Sequence, residues 1–246
     1  MILLLAAVPA ETERLRNAMH PVEHVRRTTF TLISGRIGAH PVGLLHTGVG
    51  KVNTAIALTA LLEKIECQAV IQFGCGGAYP DSGLAVGDLA MATEDIYGDE
   101  GSHSPDGFLD MQALRLPTST INSRVFYNRY PLRPNFVESA HAILEPWCDA
   151  WDIALKQGPF VTVSTCSGMT DGARALKGRT GGICESMEGA AAAQICTQRQ
   201  LPFLELRGIS NLTLDRNFAH WDLVHGADVA QTAVLHLLEY WEQVMF

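Results

Sequence analysis

Hydrophobic residues fall in short unbroken runs separated by amphipathic stretches. Ile2–Val8 is apolar at every position, as expected for a strand covered on both faces. Pro9 then opens a helix over Ala10–Met19, since proline suits a first helical turn. "TTFTLISGRIGAHPVGLLHTG" reads as a strand, a glycine turn and further strands. Lys51–Ile65 is helical, with Ala57, Leu58, Leu61 and Leu62 on one face. Ala69–Gly74 is another buried strand and runs into "CGGAYPDSG", while "LAVGDLAMATEDI" predicts a strand pair. A helix near Ser139–Trp147 and a strand over Pro159–Ser164 come next. An Ala-rich helix in "GICESMEGAAAAQICTQRQ", the strand "LPFLELRGIS" and an amphipathic helix over Asp228–Met245 complete the series. Residues 98–136, rich in Gly, Pro and polar side chains, break the rhythm. They are expected to form a long loop acting as a flap or interface.

Strands alternating with helices predict an α/β class with a largely parallel sheet. The chain has no linker, internal repeat or low-complexity tract, so residues 1–246 are expected to form a single domain. A hydrophobic content of 47% against 18% charged residues excludes a disordered chain. Net charge is −8, from 18 Lys and Arg against 26 Asp and Glu. That argues against nucleic acid as a partner, because phosphate binding needs a basic surface. The six cysteines form no CxxC pair and fit no zinc framework, so no metal is expected and free thiols in a reducing cytosol are. "MILLLAAVPAETE" has no positive n-region and too short an apolar run to span a bilayer. A cytoplasmic protein without membrane contact is the expectation.

In open α/β folds ligands gather beyond the carboxyl ends of strands. Four such ends stand out: Val8–Glu11, Gly74–Gly77, Ser164–Gly168 and Ser210–Asn211. Glu11 and Glu188 each begin a helix. A carboxylate there is also explained by the helix macrodipole alone. Glycines after a strand usually make a tight turn, although their N–H groups can cradle a ligand. Asn211 equally suits a turn cap.

Taken together, "HTGVGKVNTAIAL" (46–58), "FGCGGAYPDSGLAVGDL" (73–89), "ESMEGAAAAQ" (185–194) and "RGISN" (207–211) resemble the purine nucleoside phosphorylase/nucleosidase superfamily, in order and spacing across nearly the whole chain. The resemblance implies one α/β domain around a mixed, barrel-like sheet flanked by helices, and a homo-oligomer. It also implies cleavage of an N-glycosidic bond without a cofactor. The sugar becomes oxocarbenium-like and the purine leaves with negative charge. A base must handle the attacking water, a group must hold the ribose hydroxyls, and donors must stabilise the purine.

The resemblance assigns these roles. Glu11, at the family spacing in Ala7–Glu11, is the base for water, with Glu13 the less favoured candidate. Glu188 binds the ribose 2′- and 3′-hydroxyls, and Met187 packs on the sugar. Cys75, Gly76 and Gly77 line the sugar and water side. Ser210 and Asn211 lie at the base. The loop Thr165–Met169, including Gly168, falls where related nucleosidases bring a purine-stacking side chain. Related bacterial phosphorylases place a phosphate-binding arginine where this chain has Gln72, and an uncharged amide cannot neutralise a phosphate dianion. Water is the expected nucleophile.

Adenine-specific nucleosidases carry aspartate at the position of Asn211. A carboxamide suits the N7 and O6 edge of a 6-oxopurine. Within the superfamily the chain resembles the futalosine hydrolases, through Ser186, Asn211 and the insert Tyr97–Met111. Those enzymes release hypoxanthine in the alternative menaquinone pathway. Their substrate carries a carboxybenzoyl group, for which Phe108, Arg124, Phe126, Tyr127, Arg129 and Arg133 are the residues considered. A hydrolase or phosphorylase for another purine nucleoside, and a binding module without activity, stay open on the sequence.

Overall fold

In the computed structural model, which describes residues 1–246, the first apolar run forms β1 (Ile2–Ala6), buried throughout. The helix expected over Ala10–Met19 is broken. Pro9–Glu11 make one 3₁₀ turn, and α1 covers only Glu13–Ala18. The break is at Thr12 (φ −134°), whose hydroxyl donates to the Pro9 carbonyl at 2.9 Å and also meets His46 Nε2. It turns Glu11 back toward the end of β1 and leaves Glu13 exposed.

The chain continues through β2 (Glu23–Arg26), β3 (Thr31–Ile37), β4 (His40–His46), α2 (Lys51–Leu62) and β5 (Ala69–Ala78). "GCGG", expected as a turn, is strand: β5 runs on through it because partners lie on both of its edges. The strand pair expected in "LAVGDLAMATEDI" is the single strand β6 (Leu89–Tyr97). The expected loop over 98–136 is instead two small hairpins, β7 (Gly101–Ser104) with β8 (Gly107–Asp110) and β9 (Ser119–Ile121) with β10 (Arg124–Phe126). The strand β11 (Arg129–Pro131) comes after them. Then come α3 (Pro134–Ala150) and β12 (Leu155–Thr162). Two elements without a sequence forecast are α4 (Thr170–Thr180) and the three-residue β13 (Cys184–Ser186). Next are α5 (Gly189–Gln198), β14 (Phe203–Leu212) and α6 (Leu223–Glu239), which starts earlier and ends earlier than forecast.

Five strands close on one another. β5–β14, β6–β12 and β12–β13 are parallel, whereas β14–β6 and β13–β5 are antiparallel. β1, β4, β3 and β2 extend the sheet from the first half of β5. The result is a mixed, mostly parallel, barrel-like sheet flanked by helices, with a main cluster of 57 buried hydrophobic residues and a small satellite of 5 around Tyr79 and Val161. No helix is long and apolar enough to cross a membrane.

Closure brings three strand segments side by side. β5 has β14 on one edge and, at its carboxyl end, β13 on the other. Gly77 is therefore in register with Asn211 on one side and Glu185 on the other. The β5–β14 register shifts between Ile209 and Asn211, so Ser210 sits in a bulge.

Candidate active site

The carboxyl ends of β1, β5 and β14, the loop after β12 and the β13–α5 junction surround one cleft of about 270 Å³. Glu11, Cys75, Gly76, Gly77, Met187, Glu188, Ser210 and Asn211 all line it. Gly168 does not. Its carbonyl accepts the Arg216 N–H at 3.2 Å, tying the loop to the segment after β14, and the loop offers Cys166 and Ser167 to the cleft instead. Phe108, Arg124, Phe126, Tyr127, Arg129 and Arg133 are not in the lining. Phe108 and Arg129 border a separate hollow, and Arg124, Phe126 and Arg133 another. Gln72 is buried in β5 outside the cleft.

Glu11 is fixed by three backbone donors. The N–H groups of Ala7 and Val8 donate to Oε2 at 3.1 and 3.3 Å, and that of Cys75 donates to Oε1 at 2.9 Å. The approach from β5 depends on Gly74. A Cβ there would overlap Glu11 Oε1, lie 2.9 Å from Glu11 Cδ and 3.1 Å from Arg207 Nη1, and φ is +151°. Burial, then the charge of Glu11, pushes the Cys75 thiol up to about 12. The thiol is therefore neutral near pH 7 and is no nucleophile.

Glu188 is the N-cap of α5, not part of the helix, and is 4% exposed. Its Oε1 accepts the Gly50 N–H at 2.9 Å, and its Oε2 accepts Arg207 Nη2 at 3.2 Å. Arg207, 2% exposed, also donates Nη1 to the Cys75 carbonyl at 3.0 Å and Nε to Glu205 Oε1 at 2.7 Å. Burial alone would lower its proton affinity, but Glu205, Glu188 and Glu11 together raise it.

Behind Glu205 stands Asp95, and both are wholly buried. A Cβ on Gly189 would collide with Glu205 Oε2 and Asp95 Oδ1 together, so the two carboxyl groups face each other at that point. Burial first, and the Glu205 charge second, holds Asp95 well above its ordinary value. Asp95 is thus pushed toward its protonated form beside Glu205, and the series Asp95–Glu205–Arg207–Glu188 runs from the core to the cleft.

On the other side, Ser210 donates its hydroxyl to Asn211 Oδ1 at 2.9 Å. The same hydroxyl lies 3.3 Å from the Gly76 carbonyl, and Asn211 Nδ2, which donates to the Leu212 carbonyl at 3.2 Å, keeps a second N–H to offer the cleft. Glu185 lines the cleft as well. It accepts Tyr79 OH at 2.9 Å and Ser167 Oγ at 2.6 Å on Oε2, and Ser167 N–H at 2.7 Å on Oε1.

Sequence reasoning passed over Arg207, Glu205 and Glu185 as site residues. Glu-x-Arg in an otherwise apolar strand puts two charges on one face, a usable signal of a buried pair. Glu185 was hidden because β13 is too short to show alternation. The cleft lining thus holds three carboxylates, Glu11, Glu185 and Glu188, against one guanidinium whose Nε, Nη1 and Nη2 are all engaged. No histidine lines it.

Similar proteins bear on this site. A futalosine hydrolase of Thermus thermophilus is 31% identical over 194 residues, covering 79% of this chain and 80% of its own. A 5′-methylthioadenosine/S-adenosylhomocysteine nucleosidase of Listeria monocytogenes is 27% identical over 239 residues, covering 96% and 97%. The solved structure of a nucleosidase of that name from Neisseria meningitidis, in complex with methylthio-immucillin-A, shares the fold with a TM-score of 0.83. Its identity is 23%, with coverage of 97% and 98%. The phosphorylase superfamily model matches residues 1–239. The chain therefore belongs to the phosphorylase superfamily, an enzyme whose similar proteins and fold are those of its N-glycosyl hydrolases.

Proposed function

We propose that this cleft hydrolyses the N-glycosidic bond of a purine nucleoside, and that the nucleoside is futalosine. The products are hypoxanthine and dehypoxanthinyl futalosine, a step of the alternative menaquinone pathway. One observation carries the hydrolytic part: three carboxylates face the cleft with one guanidinium, which is already ion-paired with Glu188 and Glu205. A phosphate dianion entering there meets net negative charge and no free cation, whereas water is indifferent to both.

Each side chain has a task in that reaction. Glu11, held by three N–H groups, takes the proton of the water as its oxygen bonds to C1′. The C1′–N9 bond breaks and its electron pair goes to the purine. Glu188 accepts the ribose hydroxyls with the lone pairs left beside Gly50 and Arg207, and its charge favours the cationic sugar. Asn211 donates Nδ2–H to the N7 and O6 edge of the leaving base, which then takes a proton from solvent. Val8, Val49, Trp221 and Leu223 give the cleft an apolar side for the substituent beyond C5′.

Asn211 and the 31% identity to a futalosine hydrolase favour the hypoxanthine nucleoside. The methylthioadenosine/S-adenosylhomocysteine nucleosidase relative, matched over 96% of the chain, favours an adenine thioether nucleoside as the second reading. Incubation with futalosine, inosine and methylthioadenosine in phosphate-free buffer, followed by chromatography of the free base, separates them. Futalosine is expected to be cleaved fastest. Base release that depends on added phosphate would refute the hydrolytic reading.

A further inference from the structure

We infer that Glu185 reads the Watson–Crick edge of the base, accepting N1–H and thereby selecting a 6-oxopurine over adenine. The inference deepens the proposed function and rests on it.

The sheet itself places Glu185 opposite Asn211. Gly77 is in register with Glu185 of β13 on one edge and with Asn211 of β14 on the other. Registered neighbours point to the same face of a sheet, and two strand spacings separate the outer pair by about 10 Å. Gly77 puts nothing between them. A Cβ there would lie 2.9 Å from Thr213 Cγ2 and 3.1 Å from Asn211 Nδ2, in the space a flat base would occupy. A purine laid across Gly77 with its imidazole edge on Asn211 turns its pyrimidine edge to Glu185.

The chemistry at that edge is one-sided. Tyr79 OH, Ser167 N–H and Ser167 Oγ–H all donate to Glu185, so the group acts there as an acceptor. A carboxylate has about four acceptor positions, and three are in use. The fourth belongs to Oε1, which receives only the Ser167 N–H. Hypoxanthine carries a hydrogen on N1 and fills that position. Adenine has a bare lone pair on N1, which would face a buried carboxylate oxygen. The Ser167 N–H, committed to Glu185 at 2.7 Å, is not free to donate to adenine N1. Acceptance at one end and donation by Asn211 at the other match a 6-oxopurine at both ends.

Calorimetric binding of free hypoxanthine and free adenine to the parent protein and to Glu185→Gln tests this without relying on turnover. The parent should bind hypoxanthine more tightly. The substitution should shrink the hypoxanthine-to-adenine ratio roughly 10- to 100-fold, the worth of a hydrogen bond to a charged group. The ratio of inosine to adenosine kcat/KM should move with it. A parent that binds adenine as well as hypoxanthine would overturn the inference, as would an unchanged ratio in a folded variant. If the parent binds hypoxanthine selectively but cleaves no nucleoside, the hydrolytic reading fails and the role of Glu185 survives.

Discussion

Replacing Arg207 by methionine is the sharpest test of how the ribose side is held. Methionine fills much of the arginine stem but removes the cation from between Glu205 and Glu188, which are 0% and 4% exposed. It also strips the Cys75 carbonyl of its donor. Removing one partner of a buried pair costs about 3–5 kcal/mol, because the remaining charge stays buried without compensation. Asp95 cannot offset this, since it brings no positive charge to Glu205. The loss is a large share of the roughly 5–15 kcal/mol that stabilises a typical domain. Urea unfolding at pH 7 should show the unfolding free energy falling by that amount, as a lower midpoint with the slope unchanged. Adding Glu205→Gln to the Arg207→Met protein should recover part of the stability but none of the activity, because Glu188 would still lack its anchor. A single variant within about 1 kcal/mol of the parent would refute the picture of a charge held only by its neighbours.

Three other outcomes are expected. Glu11→Gln should keep the fold and lower kcat by about 10²- to 10⁴-fold, the usual reach of a general base; turnover within about threefold of the parent would remove it from that role. Folded Asp95 keeps a proton that the unfolded chain releases above 3.8, so its stabilising share is complete below that pH and declines as pH rises toward its raised folded value. Asp95→Asn should therefore flatten the fall of unfolding free energy, by up to about 1.4 kcal/mol per pH unit, as pH rises above 3.8, read from urea titrations at successive pH values upward from there. Asn211→Asp should lower hypoxanthine release relative to adenine release, and equal effects on inosine and adenosine would contradict the base assignment.

The sequence exposed the parts of this molecule that local rules control. Ile2–Ala6 and Phe203–Leu212 are legible because a strand covered on both faces is apolar throughout. Glu11, Glu188 and Asn211 are legible as polar residues at strand ends, and their motif spacing links them. What stayed hidden depends on partners distant in the chain. "GCGG" looks like a turn, and it becomes strand only when β13 and β14 supply hydrogen bonds to its two edges. β13 has three residues, too few for periodicity to register, yet it carries Glu185. Asp95 looks like an ordinary acid in "ATEDIY" until barrel closure brings β6 and β14 together behind Arg207.

The irregularity at Ser210 has a bearing on how this scaffold changes preference. One strand carries the guanidinium bonded to Glu188 and, a few residues on, the amide proposed to meet the purine. The extra residue between them interrupts the ladder. It works as a joint, so residue 211 can be exchanged while the strand below keeps its alignment. Deleting residue 210 would close the ladder: the amide would stay opposite Gly77 but lose the kink and the Ser210 hydroxyl that holds it, while the sugar end keeps its alignment, uncoupling what the molecule cuts from what it recognises.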